Sequence, residues 1–325
     1  GVALADDFPL IGCCAVQCNT TCDGSLMGNG IEARSFKIPT FQLAVPIRHR
    51  QESVQEYAAE EVVNAIHFIE EQTGEKFDWD AFFKSMKRFN AETEEFLEWM
   101  EISKTDYPQV MGVTLALYRY GVYQAAGGRN QAFLDMDKKL TKMALDAYKS
   151  KEMAAKEYRH RAMTWGVQAA YYTALPIWLL NCWGVVTIAD MLSMVSTEMV
   201  NTEDKHQAML DLAYLYENMI MRNRSNGGYE TGVEALWRFC EMFNIDIVIM
   251  YVHMGCKSMS GYHGLFEEEA RKHGIHLIWV THNLMCPEDG TRRDMRTEIN
   301  RYMRTVFREE PLDPSLEDFD DSKSW

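Results

Sequence analysis

Positive charge is scarce in this chain: 33 basic side chains stand against 48 acidic ones, a formal net charge of -15. A surface of that balance repels phosphate backbones and anionic membrane faces, which excludes nucleic acid and membranes as principal partners. Long apolar runs are also missing. No uninterrupted stretch approaches the roughly 20 residues that span a bilayer, and no charged-then-apolar leader opens the chain, so the expected location is the cytoplasm. Several catalytic signatures are absent. There is no Gly-x-Ser-x-Gly, no His-Glu-x-x-His and no phosphate loop ending in Lys-Ser/Thr, which disfavours serine hydrolase, zinc protease and nucleotide-hydrolase readings. Gly227-Gly228-Tyr229-Glu230-Thr231-Gly232 lacks both that ending and a preceding strand, and reads as a helix linker. Eight cysteines in 325 residues are too few and too unevenly placed for a secreted disulfide framework.

What is present is enough apolar material, 47% of the chain, to bury a large core over two lobes. The most informative stretch is Ile247-Val248-Ile249-Met250-Tyr251-Val252-His253-Met254-Gly255-Cys256-Lys257. A β-branched apolar run stops at a small-residue loop carrying one thiol, and a helical pattern follows. This puts Cys256 at the carboxyl end of a buried strand, where open α/β sheets bind ligands.

Along the chain, Phe8–Cys14 reads as a short buried strand, residues 25–35 as a helix and residues 38–46 as a second strand bounded by prolines. Strand alternation would send Cys13 and Cys14 to opposite faces, both into core. Apolar residues at helical spacing predict helices over 52–72, 80–102, 109–126 and 129–150, with Gly127-Gly128 between the last two. Beyond Ala174, apolar runs alternate with helices: 203–222, 231–243, 264–273 and 291–307 helical, 245–252 and 275–281 extended. Strand–helix alternation implies parallel pairing. The expected fold is α/β: two Rossmann-like lobes with parallel sheets, the first incomplete, joined by a helical segment. Its expected parts are 1–50, the helical segment 51–173, the second lobe 174–310 and an acidic tail 311–325.

Cys22 and Cys256 each follow an expected strand and sit among Gly, Asn, Thr and Ser. Such loops leave backbone N–H groups available to cluster sulfides, so both are candidate metal ligands; the other reading of either is a small buried hydrophobe. Cys18 and Cys22 lack a matching second pair, which fails the zinc-ribbon spacing. Cys182 and Cys240 lie among tryptophans and leucines and read as core, whereas Cys286 follows a strand and is a weaker ligand candidate. His253 and His263 flank the Cys256 loop. Either imidazole could donate a proton or a hydrogen bond, or be satisfied by neighbouring backbone. Lys257 could steady a thiolate or a phosphate, or simply be solvated.

At Cys18-Asn19-Thr20-Thr21-Cys22-Asp23-Gly24 and again at His253-Met254-Gly255-Cys256-Lys257 the chain resembles the 2-hydroxyacyl-CoA dehydratase and benzoyl-CoA reductase family, over about Phe8 to Arg308. The resemblance implies paired homologous subunits and a [4Fe-4S] cluster held by cysteines of both lobes. It also implies a CoA-thioester substrate and a separate iron–sulfur activator that spends ATP to deliver one low-potential electron. It carries over Cys22 as the second and Cys256 as the third metal ligand of the family; beside them, the residues themselves make Gly255 and Lys257 the candidate cofactor-binding positions and His253 the candidate catalytic one. The family's first ligand has no counterpart here, so residues are expected before Gly1. Residues 292–303 and 310–316 look more like the larger cluster-bearing subunit of the reductase branch, making aromatic acyl-CoA reduction the preferred reading. Dehydration of a 2-hydroxyacyl-CoA through a ketyl radical is the alternative, and a cluster-free structural subunit is the alternative from another class.

Overall fold

The computed structural model describes residues 12–18, 23–44, 52–109, 130–153, 157–191, 198–218 and 229–318. Cys22, the helix expected over 109–126, its Gly127-Gly128 hinge and Trp325 lie outside the described residues. In chain order the elements are β1 (Ala15–Cys18), α1 (Asp23–Phe36), β2 (Thr40–Leu43), α2 (Glu52–Thr73), α3 (Trp79–Ser103), α4 (Gln131–Lys149), β3 (His160–Trp165), α5 (Leu175–Trp183), β4 (Val185–Asp190), α6 (Lys205–Glu217), α7 (Tyr229–Phe243), β5 (Ile247–His253), α8 (Lys257–Gly261), α9 (His263–His273), β6 (His276–His282) and α10 (Arg292–Tyr302). The chain divides into two compact units, residues 1–93 with 196–232 and residues 94–195 with 233–325. Each is α/β with parallel strands. No described helix is long and apolar enough to cross a membrane.

In the first unit β1 pairs with β2 in parallel, Ala15 opposite Thr40, and α1 supplies the crossover that parallel pairing requires. Of the strand expected over Phe8–Cys14, residues 8–11 lie outside the described residues. The ladder itself begins later, where the Ala15 N–H reaches the Pro39 carbonyl at 2.9 Å. Cys13 therefore precedes the strand and is exposed, and Cys14 is half-buried, which corrects their expected place in the core. Small side chains then set the helix packing: Ala58 and Ala59 of α2 share one buried cluster with Ala208 and Ala213 of α6, and small residues let helix axes close up. Two hydrogen bonds fasten the pair, Gln55 Nε2 to the Leu210 carbonyl (3.2 Å) and Tyr216 Oη to the Ala58 carbonyl (2.9 Å).

The second unit is organised on a four-stranded parallel sheet in the order β4-β3-β5-β6. Alternate residues Ile247, Ile249, Tyr251, Ile278 and Val280 share a buried cluster with Trp178 and Trp183 of α5 and with Met295 and Ile299 of α10. The intervening Met163, Val248, Met250 and Leu277 are buried as well, so both faces of the sheet are covered, as a parallel sheet requires. Burying one such large side chain contributes about 1.5–3 kcal/mol. Trp183, fully buried, also donates from Nε1 to Asn300 Oδ1 at 2.9 Å, which satisfies its one polar atom. Cys182 and Cys240 are core, as expected, and burial pushes each thiol up to about 12.

One strand of this sheet, β3, lies in the stretch whose sequence pattern merged with the helical segment. His160-Arg161-Ala162-Met163-Thr164-Trp165 has no β-branched run to announce it. It is held extended by neighbours on both sides, β4 from His160 opposite Val185 and β5 from Ala162 opposite Ile247. Because the chain leaves β3 towards β4 on one side and later continues from β5 towards β6 on the other, the winding reverses between β3 and β5. A reversal of this kind is the switch point at which open α/β sheets bind ligands, beyond the carboxyl ends of the two strands.

Candidate functional site

The carboxyl end of β5 runs directly into the thiol-bearing loop, and its backbone is closely tied. The Cys256 N–H donates to the His253 carbonyl (2.8 Å), closing a tight turn, and the Met254 N–H donates to the His282 carbonyl at the end of β6 (3.0 Å). Cys256 then sits at the N-cap of the short helix α8 with extended backbone geometry. Its side chain is half-buried, while Gly255 and Lys257 are exposed. The loop thus presents one thiol, one cation and a glycine at the sheet's switch point. Cys22 lies outside the described residues.

His253 is half-buried, and its Nδ1 accepts the Gly255 N–H at 2.8 Å. That bond fixes the neutral tautomer, because Nδ1 must offer a lone pair and Nε2 carries the proton. A Cβ at position 255 would meet the His253 ring at 3.0 Å, so Gly255 is what lets the backbone approach the imidazole. His263, the other flanking histidine, stacks on Trp279 with ring centroids 3.8 Å apart. It belongs to the packing of α9 on β6.

Three further residues stand on the same edge. His253 and His282 are directly opposite in the β5–β6 register, and their rings meet edge to face at 6.0 Å. Tyr251, two residues back on the same face, meets His282 edge to face at 5.7 Å. His282 is 0% exposed and Tyr251 1%; the Tyr251 hydroxyl makes no hydrogen bond among the described residues, and the His282 ring nitrogens make no well-aligned one, with only the backbones of Asn283 and Val167 acting on them. Burial pushes the His282 imidazole down; the flanking backbones of Asn283 and Val167 act the other way, and His253 adds to the depression. Burial pushes the Tyr251 phenol up, helped by Tyr172 and Asp190.

Gly166, just past β3, has φ +101°, and a Cβ there would lie 2.3 Å from the Tyr251 carbonyl oxygen. Only glycine can hold the chain that close. The turn it begins is joined to the loop after β6 by the Ala170 N–H to the Leu284 carbonyl (3.0 Å).

Cys286, the weaker ligand candidate, lies on this second loop with its thiol 3.0 Å from Glu288 Oε2. The neighbouring carboxylate raises its pKa, which favours thiol over thiolate. Cys18 closes β1, where its carbonyl accepts from Asn29 Nδ2 at 3.0 Å. Among the described residues no three His, Cys, Asp or Glu side chains converge on a metal position. Of the two expected thiol ligands only Cys256 lies among the described residues, and its half-buried soft thiol at the end of β5 is chemically suited to an iron.

Sequence reasoning found the Cys256 loop but not His282, Tyr251 or Gly166. The signal was faint: a histidine ending each of two successive apolar runs, which becomes a pair only once parallel register sets them side by side.

The covered four-stranded parallel sheet and the thiol-bearing loop at its switch point define a class of α/β fold whose ligand sites, as a rule, lie at strand ends. Within that class, the chain belongs to the 2-hydroxyglutaryl-CoA dehydratase D-component family, whose model matches residues 1–302. No curated protein matches the chain. Membership makes it a subunit of the 2-hydroxyacyl-CoA dehydratase type.

Proposed function

We propose that this chain is the iron–sulfur subunit of an enzyme that removes water from a 2-hydroxyacyl-CoA thioester. The observation that carries the reading is the family match over residues 1–302. Cys256 and Cys22 serve as thiolate ligands in the proposal. A [4Fe-4S] cluster, when bound, supplies a single low-potential electron to the thioester. The Nε2–H of His253, set by the Gly255 N–H on Nδ1, donates to the thioester oxygen as negative charge develops there. Lys257, exposed beside the thiol, meets the anionic part of the substrate. The proposed complex includes a homologous partner subunit and an ATP-spending iron–sulfur activator, and it works in the cytoplasm.

A second reading, reduction of an aromatic acyl-CoA, keeps its support from residues 292–303 and 310–316, which look like the reductase branch. It takes second place because the family description names a dehydratase. The deciding experiment is anaerobic purification of the chain with its partner, followed by turnover of 2-hydroxyacyl-CoA thioesters and of benzoyl-CoA in the presence of activator and ATP. The expected result is a brown complex that dehydrates hydroxy substrates, and Cys256→Ala should lower both its iron content and its turnover at least about 100-fold. Turnover of benzoyl-CoA alone moves the assignment to the reductase branch. Full activity of Cys256→Ala overturns the cluster role and leaves a structural subunit.

A further inference from the structure

Cysteine is among the residue types most often fully buried, and in the second unit Cys182 and Cys240 follow that rule. In the first unit Cys13 and Cys14 break it side by side. Cys13 is exposed on a bend and Cys14 is half-buried, just ahead of the point where the Ala15 N–H meets the Pro39 carbonyl and the β1 ladder begins. Both thiols are free. They also meet each other: burial first, and then a hydrogen bond with the Cys13 sulfur, raise the pKa of Cys14. Cys14 therefore keeps its proton and points it at its neighbour. Cys18, the other described cysteine of this unit, stands four residues along an extended strand, about 13 Å from Cys14, which is beyond the reach of a disulfide.

We propose that Cys13 and Cys14 form a thiol–disulfide exchange site on the first unit, which takes a low-molecular-weight disulfide as its substrate and closes into a bond between the two residues. Cys13, the exposed member, attacks as thiolate; one sulfur–sulfur bond of the small disulfide breaks, a mixed disulfide forms on Cys13, and one small thiolate leaves. Cys14 then gives its proton to that thiolate and attacks the Cys13 sulfur, expelling the second small thiol. Two electrons pass from the pair to the small disulfide, which departs as two thiols. Proximity drives the second step, because the resolving thiol is already in contact with the sulfur that it attacks. The closed form is easily reopened. Neighbouring Cα atoms are held about 3.8 Å apart by a trans peptide, closer than an unstrained disulfide prefers, and a strained bond is readily reduced.

The test uses the full chain, kept free of oxygen, with oxidised glutathione as the probe, alkylation of remaining thiols and mass spectrometry of the fragments. The expected product is a chain lighter by two hydrogen atoms, with the loss located at Cys13 and Cys14, formed at least about 10-fold faster than any adduct at Cys286. Cys14→Ser should halt at a glutathione adduct on Cys13, and Cys13→Ser should lose the fast reaction. A lasting adduct on Cys13 in the unsubstituted chain overturns the proposal, as does a bond from either residue to Cys18 or Cys22, or no reaction at all. A second arm needs no oxidant. Phenylarsine oxide bridges two adjoining thiols through two sulfur–arsenic bonds while its oxygen leaves as water. In a chain carrying Cys18→Ser and Cys22→Ser it should bind once, and adding Cys14→Ser should weaken that binding at least about 100-fold, since one of the two linked contacts is lost. Undiminished binding would show that the pair does not act together.

Discussion

At the amino end of the four-stranded sheet, polar side chains are tied to definite partners. Arg161 spreads its guanidinium over three backbone carbonyls, those of Phe243 (2.9 Å), Thr105 (3.0 Å) and Ser103 (2.7 Å). His160 stands between Glu309 at 2.9 Å and Asp246 at 3.8 Å. At the carboxyl end polar groups are treated differently: His282 and the Tyr251 hydroxyl are buried with no well-aligned hydrogen bond among the described residues, and Gly166 lets backbone touch backbone. The difference separates two tasks. Paired groups at one end hold the unit together, while unmet hydrogen-bonding capacity at the other is kept where chemistry has been proposed, a familiar trade of stability for activity.

The sharpest way to break the comparison is Gly166→Ala. A methyl group 2.3 Å from the Tyr251 carbonyl, on backbone that side chains rarely adopt, should cost about 4 kcal/mol. Denaturant unfolding measures this, and a loss below about 1 kcal/mol would show that the two strands are not locked together there. Arg161→Ala comes next. It strands three carbonyls at the amino end, and an expected loss of about 3 kcal/mol should leave the NMR signals of the His282 ring unchanged. Altered signals would mean that the two ends are not independent.

The smallest effect is one of pH. Asp246 and then Glu309 raise the pKa of His160 above its ordinary value, against the opposing effect of burial. Facing it across the Phe307 ring is His276, whose pKa is lowered by burial and by His160. Since the folded form of His160 holds its proton more tightly, this stabilisation is complete below the unfolded value of about 6.5 and fades as pH rises through the folded one. The thermal midpoint should therefore fall between pH 6 and pH 8.5, and His160→Asn should flatten that fall. An equal fall in both proteins would assign the dependence to other groups.

The same contrast accounts for what was readable in the residues alone. Strands β5 and β6 announced themselves, because Ile247-Val248-Ile249 and Leu277-Ile278-Trp279-Val280 are unbroken apolar runs bounded by breakers. The helices α2, α3, α4 and α9 followed from their spacing. Strand β3 did not, since His160 and Arg161 are polar at its start for reasons that lie in distant partners, Glu309 and the carbonyls of Ser103 and Thr105. At the candidate site the thiol and its loop were legible as a local pattern. The His253–His282 pair was not, because register is a property of two strands, and neither was the need for glycine at 166, which depends on the course of β5.

The two buried thiols have a consequence for reactivity. With Cys182 and Cys240 each pushed up to about 12, roughly one molecule in 100,000 carries either as thiolate at pH 7, and thiolate is the form that alkylating agents and oxidants attack. Oxidative damage in the second unit should therefore begin at its rim, at Cys256 and Cys286, and leave the middle of the sheet chemically silent.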